Sequence, residues 1–184
     1  MRKKIIIFSL FFLSFFFLLI TPKTSAATFQ SGIEDNFKLL GGNVTLLEQE
    51  AQQLANQTKA GVFVVTTDSS TSASQMAKTY LADKVGAKNN GVVLVINMNL
   101  RKVYIWATGN LKYYLPSSRI EKTLDIVQPE LSSDNYYQAV SGFFDQVSKY
   151  YQAGIPTTRK YTVNSQTGAI TFHRCFQPLS ILIA

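Results

Sequence analysis

The chain has 184 residues, 18 Lys+Arg against 11 Asp+Glu, and a formal net charge of +7. Four of the basic residues (Arg2, Lys3, Lys4 and Lys23) precede residue 28 and no acid does, so the remainder carries 14 against 11, or +3. An excess that small excludes nucleic acid as a partner, since that needs a concentrated basic face. A single cysteine, Cys175, excludes an internal disulfide.

Residues 1–27 read as a secretory signal. Arg2, Lys3 and Lys4 form a basic head, Ile5 to Ile20 is almost wholly apolar, and Thr24-Ser-Ala-Ala27 offers small residues for cleavage. The alternative is an uncleaved anchor, because about 18 apolar residues just span a bilayer. The expected location of the mature chain is the extracellular side of the membrane or the cell envelope.

Residues 28–156 suit one domain of ordinary size. A first helix is predicted after Gly41-Gly42, with Asn43 as its cap and Val44, Leu47, Ala51, Leu54 and Ala55 at helical spacing. Val62-Phe-Val-Val65 reads as a buried strand, and Asp68-Ser-Ser-Thr-Ser72 as a polar loop. A second helix carries Met76, Ala77, Tyr80, Leu81 and Val85 on one side and stops at Gly86. Gly91–Ile96 and Val103–Ala107 are two apolar runs joined by Asn97-Met-Asn-Leu-Arg101, a length that suits a hairpin. A third helix is predicted from Pro116-Ser-Ser118 to Pro129. A fourth, capped by Asp134-Asn135, carries Tyr137, Val140, Phe144, Val147, Tyr150 and Tyr151 and closes at Gly154-Ile-Pro156. The order α-β-α-β-β-α-α predicts an α/β fold, with a central mixed β-sheet sandwiched by helices on both faces.

Beyond it, residues 157–174 predict a small hairpin, Tyr161-Thr-Val163 paired with Ala169–Phe172. Residues 175–184 are uncharged and largely apolar. They read either as a docked terminal segment or as the first turns of a transmembrane helix continued elsewhere. The second reading makes the membrane an expected partner, through this segment, alongside a protein partner at the membrane or envelope.

Motif chemistry is sparse. There is no phosphate-cradling Gly-x-x-x-x-Gly-Lys and no dinucleotide fingerprint. The one histidine, His173, is all that a Ser-His-Asp triad could use. Asp35, Asp68, Asp83 and Asn90 are the candidate oxygen donors for a metal. Each also reads as a cap, a turn residue or a solvated side chain.

The ordered set Ile33-Glu-Asp-Asn-Phe37, Val62–Asp68, Asn89-Asn-Gly91 before an apolar strand, Arg101-Lys-Val-Tyr-Ile105, Pro129 and Tyr136 resembles the TPM domain family, which has exported bacterial members. The resemblance implies a mixed sheet between helices. It also implies an acidic or metal-binding pocket in some members, with Ca²⁺ the cofactor to consider here, and phosphatase activity in some. This sequence departs from the family's Gly-x-Gly-Leu-Glu and following Asp. It reads Gly109-Asn110-Leu111-Lys112 and then Pro116-Ser117-Ser118. An ammonium at the Glu position reverses the charge that a hard cation needs. Three functions follow as expectations: a non-catalytic binding or accessory module at the cell envelope, a metal-dependent phosphatase, or a structural exported domain without a ligand.

Overall fold

Seven consecutive buried residues are the mark of a strand covered on both faces, and two runs in this chain meet it. A computed structural model describes residues 29–173. In it β2 (Gly61–Thr67) and β3 (Gly91–Asn97) are buried throughout. They pair in parallel, Gly61 opposite Gly91 and Thr67 opposite Asn97. β1 (Ser31–Asp35) adds to β2 in parallel, and β4 (Lys102–Thr108) closes the other edge antiparallel to β3. The four-stranded order is β1-β2-β3-β4.

Pleating sends alternate side chains to opposite faces. Val62, Val64, Val92 and Leu94 meet one core, covered by α1 (Val44–Thr58), α4 (Ser117–Ser132) and α5 (Tyr136–Gln152). Phe63, Val65, Val93 and Val95 meet the other, under α2 (Ala73–Val85). The mixed sheet between helices is therefore as the sequence implies. One feature is topologically unusual. The β1-α1-β2 and β2-α2-β3 connections step across the sheet in the same direction, yet their helices lie on opposite faces. One of the two must run against the usual right-handed crossover.

Individual elements differ from the sequence reading in physically clear ways. β1 is an additional strand. It holds a single large aliphatic residue, Ile33, and its register comes from β2 rather than from an apolar run of its own. Asn43 does not cap α1 with its side chain; it ends a short 3-10 turn, Gly41–Asn43. A four-residue helix, α3 (Leu111–Tyr114), follows β4. Pro129 does not stop α4, which runs on to Ser132. Proline removes only its own N–H, and so near a helix end it leaves one carbonyl unpaired.

Polar side chains pin these layers together. The Glu34 carboxylate accepts from the Tyr80 hydroxyl at 2.7 Å and pairs with Lys84 at 2.9 Å, holding α2 to β1. Burial pushes the Glu34 carboxyl up, but its bonds to Lys84 and Tyr80 outweigh that and leave it lowered. Arg119 Nη1 donates to three carbonyl oxygens, of Tyr114 (2.9 Å), Tyr150 (3.1 Å) and Gly154 (2.7 Å). A cation there gathers carbonyls that end α3 and α5 and complements the dipole of α5.

The hairpin is present as β5 (Tyr161–Val163) and β6 (Ile170–Phe172), paired antiparallel. The membrane contact expected through residues 175–184 is overturned. Among the described residues no helix is long and apolar enough to cross a membrane. Residues 175–184 themselves, like the signal segment 1–27, lie outside the described residues.

Candidate functional site

Because β1, β2 and β3 run in parallel, their carboxyl ends (Asp35, Thr67 and Asn97) share one edge of the sheet. The β3–β4 turn lies at that edge, and so does the turn between α4 and α5. In open α/β sheets this is the edge where ligands bind. Here the two turns border an open cleft of about 660 Å³, within the range of small-ligand sites.

The cleft has a rigid base. Asn97 is buried, and all its side-chain polar atoms are used. Its Nδ2 donates to the carbonyls of Ser69 (2.9 Å) and Thr71 (3.0 Å), and its Oδ1 accepts from Leu100 N at 3.0 Å. That one side chain ties the loop after β2 to the turn after β3. Arg101 and Lys102 form one wall, and Asp134 and Tyr136 line the cleft with them. The Tyr136 hydroxyl donates to Asp134 Oδ1 at 2.8 Å. This bond, then burial and the charge of Asp134, raise the tyrosine above its ordinary value, while the Arg101 charge works against the rise. Arg101 and Asp134 both hold left-handed backbone, φ 50° and 57°. That conformation costs an ordinary side chain about 1–2 kcal/mol. The only ion pair among the described residues is Lys84–Glu34, so neither Arg101 nor Lys102 forms one there.

The four residues singled out from sequence do not come together. Asp35 is at the carboxyl edge, where its two oxygens accept from Leu39 N (3.0 Å), Leu40 N (2.9 Å) and Thr66 Oγ1 (2.8 Å). Asp68 is exposed in the loop after β2, and Asp83 is exposed on the last turn of α2. Asn90 is at the opposite, amino edge of the sheet. Its Oδ1 accepts from Asn110 N at 2.7 Å and its Nδ2 donates to Lys59 O at 3.2 Å. Lys112, at the family's Glu position, is exposed, with Nζ 5.2 Å from the Tyr113 ring centre. No three His, Cys, Asp or Glu side chains gather as a metal-ligand group among the described residues. A calcium ion takes six to eight oxygens, and this scattered donor set does not fit one.

The amino edge is instead covered by the hairpin. Asn110 Nδ2 donates to Gly168 O at 2.9 Å, and the Phe172 ring meets that of Tyr113 at 5.3 Å. Gly168 is buried at φ +68°, where a Cβ would sit 3.0 Å from Cβ of Lys59. Gly168→Ala should therefore loosen the hairpin alone. Amide exchange over residues 161–172 should quicken about tenfold, the equivalent of 1.4 kcal/mol, while exchange in β2 and β3 is unchanged. Unaltered exchange in the hairpin would show that this contact does not hold it.

Arg101 and Tyr136 were visible in the sequence as matched positions, but not as parts of one site. Nothing in their spacing shows that two turns more than thirty residues apart face each other.

Comparison with known proteins agrees with this architecture. The TPM domain family model matches residues 33–150, and the chain belongs to that family. No curated protein sequence matches it. Among solved structures, it is similar to the N-terminal domain of a P. gingivalis protein, with TM-score 0.59 and 15% identity over 75% of this chain and 91% of that one. The N-terminal domain of cg2496 from Corynebacterium glutamicum gives 0.55 and 9% over 76% and 90%. The BA42 protein of the psychrophilic bacterium Bizionia argentinensis gives 0.52 and 12% over 61% and 80%. At these identities the likeness is one of fold.

Proposed function

We propose that this chain is an exported TPM domain that acts as a non-catalytic binding module, taking its ligand in the cleft at the carboxyl edge of the sheet. The observation that carries the reading is the cleft itself, a site of about 660 Å³ walled by two cations without ion-pair partners among the described residues. Export is supported by the basic head, apolar run and small residues of segment 1–27. Protein recovered outside the cell with Met1 intact would count against cleavage there.

Binding is favoured over metal-assisted hydrolysis by the donor set. Asp35 spends its oxygens on backbone N–H groups, and Asn90 lies at the other end of the sheet. Two measurements on the purified chain test the reading. Incubation with a generic phosphomonoester and Ca²⁺, Mg²⁺ or Mn²⁺ should give no turnover above background. Titration with mixtures of polar small molecules and short peptides should shift amide resonances at residues 97–102 and 128–136. Metal-dependent turnover would sink the non-catalytic reading. Shifts confined to other surfaces would sink the assignment to the cleft.

A further inference from the structure

We propose that the cleft receives the free carboxyl end of a peptide whose last side chain is apolar. This rests on the reading of the cleft as the binding site, and it adds the class of ligand.

Three chemically different surfaces converge there. The first is cationic. Arg101 and Lys102 are adjacent and exposed, and both line the cleft. A guanidinium offers a planar pair of donors that fits a carboxylate, and a neighbouring ammonium adds a point charge. The second is apolar. Met98, Val103 and Leu131 are half-buried lining side chains packed against the main core. The third offers polar acceptors. Asp134 Oδ1 is taken by Tyr136, while its Oδ2 accepts no hydrogen bond among the described residues. The Gln128 amide, exposed like Asp134, lines the same cleft and is open to a ligand.

A ligand that suits all three needs an anion, an apolar group and an N–H donor within a few bonds of one another. The last residue of a peptide has this arrangement: α-carboxylate and side chain on one carbon, with the amide N–H next to it. Other anions satisfy only part of the site. Inorganic phosphate suits the cations but turns more negative charge toward Asp134. A simple fatty acid covers the apolar surface but brings no N–H to Asp134 and Gln128. Capture of a terminal carboxylate is an established way of reading peptides.

The test uses the ¹⁵N-labelled full chain and three probes: an acetylated tetrapeptide ending in Ala-Val with a free carboxylate, its C-terminal amide, and inorganic phosphate. The acid should shift resonances at 97–102 and 128–136, with the amide and phosphate binding at least about tenfold more weakly, 1.4 kcal/mol by the standard conversion. Arg101→Asn should weaken the acid by a similar factor and leave the amide unaffected. Asparagine tolerates the left-handed backbone at this position. Lys102→Gln gives a second variant on the strand side, expected to weaken the acid in the same sense. Equal affinity for acid and amide would overturn the carboxylate assignment, as would tighter binding of phosphate, and either would leave the cleft a binding site. Absence of cleft shifts with both peptides would overturn the ligand class. The mixture titration above then separates that failure from failure of the site itself.

Discussion

Asp35→Ala should destabilise the domain by about 3 kcal/mol and lower Tm by roughly 10 °C. The carboxylate is the acceptor for three donors. Two are the backbone N–H groups of Leu39 and Leu40, which turn the chain back after β1. The third is the hydroxyl of Thr66, itself fully buried. Thr66 in turn accepts from Phe37 N at 3.1 Å, so one carboxylate organises both sides of the turn. Alanine leaves those donors facing a poorly hydrated site beside Leu40, and unmade bonds to a charged acceptor cost about 1.5–3 kcal/mol each before relaxation. Asp35→Asn should recover only part of the loss, because its amide nitrogen must take one of the two oxygen positions and turn hydrogen toward the donors there, Leu40 N at Oδ2 or Leu39 N and Thr66 Oγ1 at Oδ1.

The same variant separates two roles for this residue. A carboxylate held ready for a cation is repelled by its fellow ligands, and its removal is neutral or stabilising. A carboxylate that completes a turn is destabilising to remove. Denaturant unfolding with an unchanged m-value reads the difference directly. A rise in stability would return Asp35 to the list of ligand candidates.

Asp35 also shows where the sequence stops being legible. An acid after Ile33 is plain to see, but its three hydrogen bonds require Thr66 to lie alongside, and that follows only from the β1–β2 register. The central strands were readable because burial on both faces demands an unbroken apolar run, and β2 and β3 supply one each. β1 was not, since an edge strand half exposed along its length needs no such run. The helices were legible as apolar stripes, though Pro129 stands inside α4 where it was expected to end it. The cleft was the least legible part. Its walls come from the β3–β4 turn and the α4–α5 turn, and their meeting depends on α4 running the length of the sheet. Candidate donors chosen by residue type fell on both edges of the sheet, because side-chain chemistry alone carries no information about which edge a loop occupies.

Gly109→Ala should be the most damaging single-methyl change in the amino-edge loops, at roughly 3–5 kcal/mol. Gly109 adopts φ +60°, which costs about 1–2 kcal/mol for an L side chain. An added Cβ would also lie 2.7 Å from both the carbonyl carbon and the oxygen of Asn89, and closer still to Asn90 Oδ1. The side chain of Asn90 has little room to yield, because it is held by Asn110 N on one side and Lys59 O on the other. The backbone of Asn89 is held in turn, its oxygen accepting from the Thr108 hydroxyl at 2.8 Å. The methyl group would therefore push the end of β4 away from the start of β3, at the Gly91–Thr108 pair that closes their ladder. Gly42→Ala is the matched control, since a Cβ there meets nothing within 4 Å; its effect should stay within about 0.5 kcal/mol. A domain stable by about 5–15 kcal/mol would survive the Gly109 change only narrowly or with its hairpin undocked. Equal midpoints for the two variants in denaturant would mean that the amino-edge loops yield, and that Asn90 does not lock them.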